Sequence, residues 1–238
     1  MSGMDLTPYR EFAKEKLGLE FENIDLLVTA LTHRSYVNEH KKSTKEHNER
    51  LEFLGDAVLE LAVTEYLYSN FSEPEGTLTS WRAALVRTES IGAAGELLGY
   101  GNLVRMSRGE KNGSERARLQ ILANAFEAVT GAIYLEFGFE AARKFIFDNI
   151  IVKLESILEA GSWRDPKSYL QEVSQRVDGF TPSYKVLAEE GPDHDKVFTL
   201  GVYVGDKLMG QGSGPSKQSA QQLAAQAALA KYKASGNL

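Results

Sequence analysis

The chain has 238 residues, 42% hydrophobic and 25% charged, with a formal net charge of −6 and no cysteine. That composition excludes a disordered chain, a disulfide scaffold, a thiol nucleophile and a thiolate zinc site. Residues 160–238 hold nine Lys+Arg against eight Asp+Glu, so the acidity lies in the first two thirds. A region that gathers divalent cations has that balance, and so does a well-solvated surface. The opening residues carry Asp5, Thr7 and Pro8 and no apolar run, so no secretory signal is expected. No stretch approaches the ~20 uncharged apolar residues of a membrane span. A soluble, cytoplasmic protein is expected.

In chain order, apolar residues recur at three and four over 9–17, 24–31, 48–71, 78–98 and 116–137, which predicts helices. The breaks fall at Gly18, at the polar run 38–47, at 72–76 around Pro74, and at 107–114. Residues 1–158 therefore read as an all-α domain. The span 159–166 reads as a linker, with Pro166 suited to a first helical position. Over 167–235 the pattern changes. A short helix over 166–177 precedes a strand at 183–188. Phe198, Leu200, Val202 and Val204 then alternate with Thr199, Gly201 and Tyr203, the period of a strand. A turn at Gly205-Asp206 leads into 207–211, and an alanine-rich helix closes the chain over 216–232. This second domain is α+β, in the order α-β-β-β-α.

Glu49, Glu52 and Asp56 stand at i, i+3 and i+7, within roughly 60° around a helix axis. Leu51, Leu54, Val58 and Leu61 fall on the opposite side. Any amphipathic helix places acids on its wet face, so this spacing is ambiguous by itself. The helix over 119–135 says more. Glu127 is its only charged residue, with Asn124 one turn earlier on the same face. A helix so apolar must be buried, and a buried carboxylate is costly unless paired or bound to a cation. Two readings stand: a core glutamate satisfied by an arginine or hydroxyl, or an acid facing Glu49, Glu52 and Asp56 around a divalent ion. Such an all-oxygen donor set selects Mg2+ or Mn2+ over zinc. His33, His40 and His47 recur at seven, which does not suit a helical ligand pair, and His33 is expected to be a structural hydrogen-bonding residue.

The run Asn48-Glu49-Arg50-Leu51-Glu52-Phe53-Leu54-Gly55-Asp56-Ala57-Val58-Leu59 resembles the signature of the ribonuclease III family. The segments 30–36 and 127–134 resemble family motifs in the right order, and the C-terminal module resembles the double-stranded RNA-binding domain. The resemblance spans essentially the whole chain. It implies a homodimeric endoribonuclease that hydrolyses double-stranded RNA with Mg2+, or Mn2+ in its place. The implied products carry 5′-phosphate and 3′-hydroxyl ends, and the implied work is maturation of ribosomal and messenger RNA. Glu52, Asp56 and Glu127 match the metal-coordinating acids, with Asp56 and Glu127 catalytic. Asn124 takes the place of a fourth, usually Asp; its amide oxygen can ligate but brings no charge. Glu49 and Glu75 match acids of substrate contact or of the catalytic valley. Phe53 matches an aromatic knob that enters the partner subunit.

A-form RNA hides its bases, so a duplex is read through 2′-hydroxyls and phosphates. Ser168, Gln171, Glu172 and Gln175 line one face of the first helix of the second domain and suit 2′-hydroxyls. His194, in the loop begun by Gly191-Pro192-Asp193, resembles the family's minor-groove contact. Lys217 and Gln218 open the last helix, where free N–H groups favour phosphate. Gln218 stands where relatives commonly carry a second basic residue, so modest affinity is expected. Two rivals remain: a catalytically attenuated double-stranded RNA-binding protein, suggested by Asn124, and a helical phosphohydrolase of small nucleotides.

Overall fold

The computed structural model describes residues 4–41, 46–161, 163–192 and 196–237. The chain divides into two compact units, Met1–Trp163 and Arg164–Leu238, a division inside the expected linker span 159–166. Trp163 belongs to the first unit because its ring packs edge-on against Trp81, centroids 6.0 Å apart.

The first unit is helical. It runs α1 (Thr7–Phe12, continued by a wider π turn at Ala13–Leu17), α2 (Ile24–Ala30), α3 (Arg34–Glu39), α4 (Glu49–Asn70), α5 (Glu75–Val86) and α6 (Thr88–Leu98). There follow α7 (Arg108–Lys111), α8 (Glu115–Phe137), α9 (Phe139–Asn149) and α10 (Leu154–Ala160). The periodic run 78–98 is two helices rather than one. Arg87 alone is extended (φ −63°, ψ 152°), with no glycine or proline to announce the break. The expected break at 107–114 holds the single turn α7, capped by the Ser107 hydroxyl, which accepts from the Glu110 N–H.

Helix α8 is the axis of this unit. Ser114 caps its start by accepting from the Ala117 N–H. Leu122, Ala125, Phe126, Val129 and Ile133 are fully enclosed, and each large side chain so buried stabilises the fold by ~1.5–3 kcal/mol. Helix α4 lies against α8 at backbone distance. A Cβ on Gly55 would run into the Glu127 carbonyl oxygen, and one on Gly131 into the Leu51 carbonyl oxygen. These two glycines let the acid-bearing turns of α4 and α8 meet.

The apolar side of α4 is only partly covered. Leu51, Val58, Leu59 and Val63 are buried, whereas Leu61, expected among the covered leucines, is exposed. Phe53 and Tyr68 are each 81% exposed. Phe53, Ala57, Leu61, Thr64 and Tyr68 form one stripe along the helix, since these spacings keep them within roughly 80° around its axis.

The second unit has the order α11 (Pro166–Asp178), β1 (Ser183–Glu190), β2 (Val197–Val204), β3 (Lys207–Gly214) and α12 (Lys217–Ala234). The strands form one antiparallel sheet in sequence order, with Val186 opposite Leu200 and Gly201 opposite Gln211. Asp165 and Ser216 cap the two helices through the N–H groups of Ser168 and Ser219. Ala220, Ala224, Ala225 and Ala228 are buried, so α12 lies close on the sheet, and the Tyr232 hydroxyl donates to Asp178 at the end of α11.

Candidate active site and RNA-facing surface

The Gly55–Gly131 approach brings Glu52 and Asp56 of α4 beside Asn124 and Glu127 of α8. Glu127 is half-buried. Burial, then the charges of Asp56 and Glu52, push its carboxyl up to about 8. No basic partner bonds it among the described residues, so the reading as a core glutamate satisfied by an arginine does not hold. Burial also raises Glu52, as do Glu49 and Asp56, while a hydrogen bond from the Asn124 side chain works the other way. Acids that raise one another's pKa favour a bound cation, because a cation would replace the proton.

Among the described residues, no three His, Cys, Asp or Glu side chains are already drawn into a closed metal cage. The donor chemistry nevertheless fits a hard divalent ion: three carboxylates and an amide, with neither sulfur nor imidazole in the patch. Glu49 sits at its rim. One of its oxygens pairs with Arg34 at 3.2 Å and the other lies 3.7 Å from His47 Nδ1. His33 is structural, as expected: its Nδ1 accepts from the Ser35 N–H and caps α3.

Glu75 is not part of this patch. It begins α5 and accepts from the Thr79 hydroxyl at 3.0 Å. It lines a cavity of about 530 Å³ with Tyr68, Phe71 and Arg82, roughly 20 Å along α4 from Glu52. Phe53 projects freely at the edge of a larger cavity, about 840 Å³, that includes Leu26, Leu54 and Leu135.

In the second unit, Ser168, Gln171, Glu172 and Gln175 all stand exposed on α11, opposite the buried Leu170 and Val173. Ser168, Gln171 and Gln218 line one groove of about 320 Å³ with Lys167 and Tyr184. Lys217 is held: its Nζ is 3.0 Å from Glu189 and lies over the Phe198 ring. His194 lies outside the described residues. Two residues escaped the sequence reading. Lys167 reaches Gln221 at 2.7 Å, and Gln120 donates to Asn124 at 2.7 Å. The second was legible as an i, i+4 amide pair on α8.

Residues 23–154 match the Ribonuclease-III-like family, and residues 166–232 match the double-stranded RNA binding motif. A "Ribonuclease 3" from Enterococcus faecalis is 45% identical over 220 residues, covering 91% of this chain and 94% of that protein. One from Anoxybacillus flavithermus is 45% identical over 232 residues, covering 95% and 96%. Among solved structures, the nuclease domain of ribonuclease III from Campylobacter jejuni is 44% identical, with a TM-score of 0.52. It covers 58% of this chain and 96% of that one, and it shows structural flexibility in a region involved in dimer formation. The acid-bearing helices, the α-β-β-β-α unit and these relatives agree: the chain belongs to the ribonuclease III family.

Proposed function

We propose that this protein hydrolyses the phosphodiester backbone of double-stranded RNA at the patch formed by Glu52, Asp56 and Glu127. It is a double-strand-specific endoribonuclease of RNA processing, and members of its family depend on a divalent metal. The observation that carries the placement is the electrostatic coupling of Glu127 to Glu52 and Asp56 across the Gly55–Gly131 contact.

Magnesium is the ion that suits these donors, with manganese as a substitute; when bound it neutralises phosphate charge and makes water a stronger nucleophile. The residues themselves do the rest. Glu52 and Asp56 present their carboxylates from successive turns of α4, and Glu127 holds a proton until a cation displaces it. Glu49, tethered by Arg34, and Glu75, at the far end of α4, are the substrate-side acids. The products are 5′-phosphate and 3′-hydroxyl ends.

The second unit binds the duplex through Ser168, Gln171, Glu172 and Gln175, with Lys217 and Gln218 toward phosphate and His194 in the minor groove. The exposed stripe Phe53, Ala57, Leu61, Thr64 and Tyr68 supports a homodimer. A two-fold pair matches the approximate symmetry of a duplex and places one site on each strand. A nuclease domain at 1–158 and a binding domain at 167–235, joined by 159–166, complete this reading, in a cytoplasmic protein. No helix among the described residues is long and apolar enough to cross a membrane.

Incubation of the full chain with duplex RNA and Mg2+ yields discrete cuts, and chelator stops them while binding persists. Binding without cutting under Mg2+ would favour the attenuated RNA-binding protein instead.

A further inference from the structure

The chain holds two tryptophans, Trp81 and Trp163, and they pack together. Their rings meet edge-on at 82°, with centroids 6.0 Å apart. Trp81 in turn packs edge-on against Phe71 at 5.1 Å, and Phe71 against Tyr66 at 6.2 Å. A line of rings therefore runs from Tyr66 of α4 through Phe71 and α5 to the last residue of the first unit. Trp81 is buried, and its Nε1 has no hydrogen-bond partner among the described residues, so no polar bond fixes the indole. Its place is set by the rings on either side. Trp163 packs on the core of the first unit beyond Gly161, whose left-handed φ of 63° ends α10. Glu75 starts the helix that carries Trp81, about 9 Å away along its axis, and lines one cavity with Phe71. Pro74 gives that helix start no side-chain cap. Arg82 ties α5 to α4 through Glu60 at 3.0 Å and Thr64 at 2.9 Å, but two turns further on. The start of α5 thus leans on the Phe71–Trp81 contact.

We propose that Trp163 is a positioning residue for Glu75: by seating its ring on Trp81, it steadies Phe71 and the start of α5, and so aims the acid. The inference rests on the reading of Glu75 as a substrate-side acid. It makes a residue of the expected linker part of the nuclease machinery, and the first unit complete only with residues beyond 158. A bare packing role would stabilise the unit and leave substrate recognition alone. A positioning role acts on KM, and acts through Glu75.

Two indoles this close give an exciton couplet in far-ultraviolet circular dichroism, and with no other tryptophan in the chain that signal reports this contact alone. The full-length wild type should show it without RNA or Mg2+, and Trp163→Phe should lose it. In cleavage of duplex RNA with Mg2+, Trp163→Ala should raise KM about fivefold, with kcat within about twofold. Trp163→Phe keeps an edge-on ring and should hold KM within about twofold of wild type; it also keeps the test open if alanine prevents folding. Added to Glu75→Gln, Trp163→Ala should raise KM little further, because both act through one group. A wild type without the couplet would mean that Trp163 is not seated, which overturns the proposal. Additive losses with Glu75→Gln, or a lowered Tm at unchanged KM, would leave Trp163 only a packing role and overturn it too. So would a phenylalanine variant as impaired as alanine, or Glu75→Gln at wild-type KM. A couplet in a wild type that cuts no duplex RNA would instead remove the proposed function, and with it the role of Glu75.

Discussion

The acid patch of the first unit and the RNA-facing surface of the second are both built from polar side chains on helices, yet they obey different physics. In the patch, Glu127 is partly enclosed and its proton is held by Asp56 and Glu52, so the state of one side chain depends on the others. On α11, Ser168, Gln171, Glu172 and Gln175 stand in solvent, where water screens each from the next. The patch is therefore a coupled unit sensitive to one atom. The RNA-facing surface is a sum of small, separable contacts.

The largest break in that comparison is Glu127→Gln. Cleavage of duplex RNA should fall by at least ~10³-fold, while duplex affinity stays within about twofold. Equal losses in cutting and binding would remove Glu127 from the chemistry. Next comes Gly55→Ala, whose methyl meets the Glu127 carbonyl oxygen across the α4–α8 contact. Overpacking of that kind costs ~1–3 kcal/mol, which lowers Tm by ~3–10 °C in a domain of this size. An unchanged Tm in scanning calorimetry would show that the helices can part freely.

The pH dependence follows from Glu127. Its carboxyl titrates at about 8 in the folded chain against a reference of 4.5, so the folded state binds the proton more tightly than the unfolded one. The stability of the metal-free protein should then fall as pH rises from 4.5 towards 8 and level off above that. Glu127→Gln should remove that decline, giving a Tm equal to wild type near pH 4.5 and ~3–6 °C higher at pH 8. Parallel Tm curves for the two proteins would refute the coupling.

The smallest effect belongs to the other surface. Lys217→Gln should weaken duplex binding about threefold and reduce the salt slope by less than one, because Glu189 already holds part of that charge. A hundredfold loss would make the RNA-facing surface as cooperative as the acid patch.

The comparison also marks how far the sequence could be read. The period-two run 198–204, Pro166 at a first helical position, and the single charge on 119–135 announced the two units and the buried acid. What sequence could not show was backbone proximity. Gly55 and Gly131 look like ordinary helix glycines until α4 and α8 touch there. The extended Arg87 between α5 and α6 has no local signal, because apolar periodicity continues on both sides. Short elements such as α3 and α7 carry too few turns for a period to emerge. The exposure of Leu61 is a tertiary fact: on the helix face it shares with Phe53 and Tyr68, these three large apolar side chains stand exposed among the described residues. The tie of Glu49 to Arg34 joins residues from two helices that sequence alone could not align.

Calorimetry of Mg2+ binding at pH 7, repeated in buffers of different ionisation enthalpy, reads the crowded carboxylates directly. With Glu127 titrating at about 8, close to one proton should leave per ion bound, and none in Glu127→Gln. Binding by the wild type without any proton release would mean that Glu127 does not share the ion with the α4 acids.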